Sequence, residues 1–119
     1  MQRDLILEKY NGRCAYSGKP LRHDWQVDHL VPKSMGGNDN LNNLVPCQKI
    51  VNHYKRALPL ELFRTWFLGG LHTRLAKLPK NPRTEKSQKR INYLRSVAME
   101  FGITPQKPFS GKFYFETIQ

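Results

Sequence analysis

Asp28 and His29 stand side by side in the run Val27-Asp28-His29. Asn43 follows 14 residues after His29, and nine residues later Asn52 opens the run Asn52-His53-Tyr54-Lys55. A carboxylate is a hard oxygen ligand suited to Mg²⁺ or Mn²⁺. An imidazole takes a proton from water near neutral pH, where its ordinary pKa lies. An Asn or His on a following helix completes a one-metal site. Together these groups equip a chain for metal-assisted attack of water on a phosphodiester. The Asp-His pair alone is a common dipeptide, and a salt-linked Asp beside a surface His describes it well. Asn43 and Asn52 change that balance. The side-chain or backbone carbonyl of Asn43 can hold the second ring nitrogen of His29 and so fix its tautomer. A turn Asn is also expected in Asn40-Leu41-Asn42-Asn43. Asn52 falls within a helical stretch, where Asn is a weak former, and an amide oxygen aimed at a metal gives it a reason to be there. Lys55, one helical turn on, can meet phosphate.

The elements that must position these groups are short. A helix is predicted over residues 4 to 11, with Gly12 as its stop and Leu5, Ile6, Leu7 and Tyr10 available for burial. Trp25 to Leu30 reads as a strand. Neighbouring strand residues point to opposite faces, so Asp28 and His29 serve one site only if the strand ends or distorts there, as Pro32 allows. Met35 to Asn40 is a loop rich in turn residues. Leu44 and Val45 form a second short strand that Pro46 terminates, and Gln48 to Arg56 is a helix. Pro59 suits the first turn of another helix carrying Leu62, Phe63, Trp66 and Phe67, which Gly69-Gly70 breaks. A further helical piece holds Leu71, Leu75 and Leu78. Residues 77 to 89 are basic and turn-rich. Ile91, Leu94, Val97, Ala98 and Phe101 mark an amphipathic helix from about Thr84 to Phe101, stopped by Gly102. Residues 112 to 117 read as a strand.

Lys and Arg number 20 against 9 Asp and Glu, a formal charge of +11 in 119 residues. A solvated surface of mixed sign would not give this excess, and a polyanionic partner follows. No long apolar run and no basic helix with a lipid-facing side is present, so nucleic acid is preferred to a membrane. Lys80, Arg83, Lys86, Lys89 and Arg90 have only Glu85 among them and are the best candidates for phosphate contact. Lys33, Lys49 and Arg56 lie near the candidate centre and extend that surface. Trp66, Phe67, Phe113 and Phe115 are read as core rather than as base platforms. The length suits one domain. The first residues lack the apolar core of a signal peptide, so a cytoplasmic, reducing location is expected, with no Cys14–Cys47 disulfide.

The segment from Cys14 to Lys55 resembles the HNH nuclease family, whose site is a ββα-metal motif. The resemblance rests on Asp28-His29, Gly36-Gly37, Asn43, Cys47 and the Asn52-x-x-Lys55 spacing. It implies a ββα-metal core; with the elements read above, the expected fold is α+β, mainly α, one domain with this core and an N-terminal helix over 1–57 and a helical extension with a possible C-terminal strand over 58–119. It implies that Asp28 and Asn52 hold one Mg²⁺ or Mn²⁺, that His29 is the general base and that Asn43 orients it. His53 is the alternative ligand, and Asn52 is preferred for its spacing to Lys55. The implied substrate is double-stranded DNA, cut to 5′-phosphate and 3′-hydroxyl ends; one centre cuts one strand, so cutting both needs a homodimer or two nicks. Many members bind a structural zinc through two Cys-x-x-Cys pairs. Here the pairs read Cys14-x-x-Ser17 and Cys47-x-x-Ile50, so no structural zinc is expected. Two other readings remain open: a DNA-binding module with a weak or inactive centre, and an RNase or toxin domain of the same fold.

Overall fold

The computed structural model describes residues 2–118. Strands β1 (Gln26–His29) and β2 (Leu44–Cys47) pair antiparallel, with Gln26 opposite Cys47 and His29 opposite Leu44. Pro46 does not end the second strand, as expected from sequence, but lies inside it opposite Val27. Its carbonyl accepts the Ala15 N–H at 2.9 Å, so its polar edge faces away from β1 and the missing N–H removes no ladder bond. Between the strands, two 3₁₀ turns, Lys33–Met35 and Leu41–Asn43, fold the loop back on β1. Gly37 is required at the crossing: a Cβ there would sit 1.8 Å from the Val31 carbonyl oxygen.

Helix α1 (Arg3–Glu8) packs against β2, burying Ile6 and leaving Leu5 exposed. Lys9, just beyond it, donates to the carbonyls of Leu41 and Leu44, both at 2.7 Å. Helix α2 (Lys49–Lys55) follows β2 directly and contacts β1. It ends at Arg56, whose φ of 34° is unusual for a residue with a side chain.

Helix α3 spans residues 60–76 behind Pro59. It runs as Leu60–Leu62, a π-helical stretch Phe63–Leu68 and Gly69–Ala76. The break expected at Gly69-Gly70 does not occur, because Gly69 takes ordinary right-handed helical angles (φ −64°, ψ −28°). The wider π turns bring Phe63, Phe67 and Leu68 inward together. Helix α4 (Glu85–Phe101) starts at Thr84, whose hydroxyl accepts the Ser87 N–H at 3.0 Å, and stops at Gly102 in the left-handed conformation (φ 66°). Ile91, Leu94, Val97 and Ala98 form its buried stripe.

The strand expected over 112–117 is instead a single helical turn, α5 (Tyr114–Thr117). Glu116 folds back to accept the Phe113 N–H at 2.9 Å, and Arg64 grips the same carboxylate at 2.6 Å. Together they fix a helical first turn. Phe113 is buried in an aromatic cluster with Tyr16, Phe63, Phe101 and Phe109. Cys14, Tyr16, Val45 and Val51 from the first half of the chain share one core with Phe63, Leu71, Leu94 and Phe113 from the second. The result is an α+β, mainly α molecule. Among the described residues no helix is long and apolar enough to cross a membrane.

Candidate active site

Asp28 is buried, while its strand neighbours Val27 and His29 are half-buried on the other face. Its Oδ2 accepts the Tyr16 hydroxyl at 2.5 Å and faces the Lys55 Nζ at 3.3 Å. Burial pushes the Asp28 carboxyl up, and Lys55 and Tyr16 oppose that shift. Lys55, expected at phosphate, is fully buried, and its ammonium also donates to the carbonyls of His29 at 3.2 Å and Arg56 at 3.3 Å. With its ammonium bonded to Asp28, His29 and Arg56 inside the fold, Lys55 is not exposed to a phosphate.

His29 closes β1. Its Nε2 lies 2.8 Å from Asp39 Oδ1, and the other oxygen of Asp39 takes Lys33 Nζ at 3.0 Å. Hydrogen bonds from His29 and Lys33 hold the Asp39 carboxyl below its usual range. If Nε2 donates to Asp39, Nδ1 is the ring nitrogen left to accept a proton. Asn43 does not reach the His29 ring. Its Oδ1 accepts the Val31 N–H at 2.9 Å, and its Nδ2 donates to the carbonyls of Val31 (3.1 Å) and Asn38 (2.9 Å). Its own carbonyl accepts the Leu30 N–H at 3.0 Å. Asn43 thus staples the loop that carries Asp39 to the end of β1, acting on His29 through that loop. An orphaned amide in a closed loop would be unfavourable, which is reason enough for Asn at this position.

Because β1 ends at His29 and the chain then turns, Asp28 and His29 line one cavity of about 340 Å³ despite strand alternation. Lys33, Asn52 and Arg56 line it too. The Asn52 amide is oriented by Gln26, whose Oε1 accepts its Nδ2 at 2.7 Å. Its Oδ1 is buried and has no hydrogen-bond partner among the described residues. A buried acceptor left without a donor is unfavourable unless something else meets it. An amide and a carboxylate on residues that line one cavity are the kind of oxygen donors a hard divalent cation such as Mg²⁺ takes. His53 lies elsewhere. Its ring packs edge-on against Tyr54 at 4.8 Å and Tyr93 at 5.2 Å, in a separate cleft. Burial and the nearby Arg56 lower its pKa. The turn of about 100° between successive helix residues separates the two candidates.

Among the described residues no three His, Cys, Asp or Glu side chains converge on one point. Cys14 and Cys47 are free and fully buried. Burial pushes the Cys14 thiol up, but hydrogen bonds with Cys47 and Ser17 override it and leave Cys14 at about 6. Ile50 packs against the core where a second thiolate would stand. Lys49, Lys80, Arg83, Lys86, Lys89 and Arg90 are all exposed.

Sequence reading missed Asp39, Tyr16 and Gln26. Asp39 carries no local signal beyond being an acid in a turn-rich loop. Tyr16 and Gln26 act through contacts that close only in three dimensions, 12 residues from Asp28 and 26 from Asn52. Residues 14–58 match the family model described as HNH endonuclease, a span that contains Asp28, His29, Asn43, Asn52 and Lys55. No curated protein matches the chain.

Proposed function

We propose that this chain, of the HNH endonuclease family over residues 14–58, is a metal-dependent endonuclease that hydrolyses DNA. The observation that carries the reading is the buried Oδ1 of Asn52, partnerless among the described residues, on a residue that lines the cavity with Asp28 and His29. Asp28 and Asn52 would hold the metal. Bound there, a divalent cation supplies charge stabilisation for the phosphorane-like transition state and the departing oxygen. His29 takes the proton of the attacking water on Nδ1, and Asp39 keeps Nε2 protonated and the ring in place. Attack at phosphorus breaks the bond to the 3′ oxygen, leaving a 5′-phosphate and a 3′-hydroxyl. Lys33 and Arg56 at the cavity rim, with Lys49 and the exposed cations of residues 80–90, bind flanking phosphates.

One observation favours a second reading, a DNA-binding module with an idle centre: an oxygen of Asp28 is already taken by Tyr16 and Lys55. Cleavage of supercoiled plasmid with Mg²⁺, Mn²⁺ or EDTA, with end analysis of the products, separates the two. Metal-dependent nicking with 5′-phosphate ends supports the nuclease. Tight binding with no cutting under either metal supports the module. Cutting of RNA but not DNA would move the substrate to RNA.

A further inference from the structure

We propose that the cleft on the other flank of α2, lined by Arg22, Asp24, Lys49, Ile50, His53 and Tyr93, is a subsite for an unpaired guanine of the nucleic acid. The inference rests on the proposed action on nucleic acid and adds a base preference to it. The cleft has a volume of about 250 Å³ and opens into a neighbouring groove through shared Arg22, Ile50 and Tyr93. Helix α2 walls both this cleft, through Lys49 and His53, and the cavity of Asp28 and His29, through Asn52. The two sites therefore share one helix as a wall.

The lining chemistry selects the ligand. Ile50 and the partly exposed ring of Tyr93 give flat apolar surface, and His53 stands edge-on to Tyr93 at 76°. Every nucleobase has a face that stacks on such a surface. Asp24 is exposed and makes no side-chain hydrogen bond or ion pair among the described residues. Its two oxygens are free to accept a pair of adjacent N–H donors. Guanine presents such a pair, N1–H beside N2–H, on its Watson–Crick edge; adenine, cytosine and thymine do not. That edge is available only when the base is unpaired. Arg22 gives Nη1 to Glu100 at 2.8 Å and keeps further donors for O6 or a phosphate. Lys49 is exposed at the rim, and Lys89 Nζ lies over one face of the Tyr93 ring, 5.7 Å from its centroid, so both bring positive charge to the cleft that flanking phosphates would meet.

The test is fluorescence anisotropy of the full chain in EDTA, so that binding is read without cleavage. Three labelled single strands are compared: all thymine, the same with one central guanine, and the same with hypoxanthine in place of guanine. Hypoxanthine lacks the 2-amino group. The expected result is tighter binding of the guanine strand than of the thymine strand by about fivefold or more, most of it lost with hypoxanthine. Asp24→Asn should erase the guanine preference, read as the ratio of guanine-strand to all-thymine affinity in the same variant. Tyr93→Ala should weaken the guanine strand by about fivefold or more. Equal affinity of the wild type for all three strands overturns the subsite. Cleavage without guanine preference sinks this inference alone, whereas guanine preference without cleavage sinks the nuclease reading alone.

Discussion

Lys55→Met tests the internal wiring of the centre. Lys55 is fully buried and Asp28 is 5% exposed, with 3.3 Å between Nζ and Oδ2. Met keeps most of the side-chain volume, so the perturbation is chiefly electrical. It leaves a buried carboxylate with Tyr16 as its remaining strong partner and strips a donor from the carbonyls of His29 and Arg56. Removing one member of a buried pair destabilises by about 3–5 kcal/mol, because the other charge is left uncompensated. A domain of this size has about 5–15 kcal/mol in total, so the loss is a large fraction. With a urea slope of about 2 kcal/mol/M, the midpoint should fall by about 2 M. Tryptophan fluorescence from Trp25 and Trp66 reports the transition. The deficit should also depend on pH. Without Lys55, burial holds the Asp28 carboxyl further above its unfolded pKa. A carboxyl shifted upward subtracts stability as pH rises through the window between the two values. The variant should therefore lose more at about pH 8 than at about pH 5. A shift below about 1 kcal/mol, together with weakened DNA binding and a lower salt slope, would refute the buried pair and restore Lys55 to a phosphate contact.

Three further outcomes follow from the same geometry. Asn52→Ala should raise the Mg²⁺ concentration needed for cleavage far more than His53→Ala; the reverse order in a metal titration would move the ligand to His53. Gly37→Ala forces a Cβ against the Val31 carbonyl and within 3.0 Å of Asn43 Nδ2. It should cost about 1–3 kcal/mol in denaturant melts and reduce cleavage, and a variant equal to wild type in both would disprove the tight crossing. Hydrogen bonds from Arg64 hold the Glu116 carboxyl below its usual range. A depressed carboxyl contributes stability above its unfolded pKa and loses it as pH falls through the folded one. Glu116→Gln should therefore lower the melting temperature at neutral pH and have a shrinking effect as the pH drops below about 4, and a pH-independent difference would contradict the pairing.

The elements that carry the candidate residues were legible where local rules govern them. Asp28-His29 sits where an alternating run meets Pro32, and Asn52 is out of place in a helix unless it has a task. Thr84 and Gly102 mark the ends of α4 by capping chemistry that depends on neighbours three or four residues away. The failures share a cause in long-range contact. Lysine is rarely buried, so nothing in Asn52-x-x-Lys55 showed that Lys55 turns inward to a carboxylate 27 positions earlier. Phe113 and Phe115 alternate like a strand, yet the Phe113 N–H is taken by Glu116 and the N–H groups of Tyr114 and Phe115 by the carbonyls of Tyr16 and Ala15. Gly69-Gly70 reads as a breaker only where packing does not hold the helix; here Leu68 and Leu71 are buried on either side. Pro46 is tolerated because its missing N–H lies on the edge facing away from β1, a fact of register that its own residue type does not carry.

The most direct test of the central claim compares wild type and His29→Ala for Mg²⁺-dependent plasmid cleavage, with DNA affinity measured alongside in EDTA. His29→Ala should bind DNA like wild type and cut slower by about 10²–10⁴-fold, the range for loss of a general base. Unchanged cleavage by His29→Ala would contradict it.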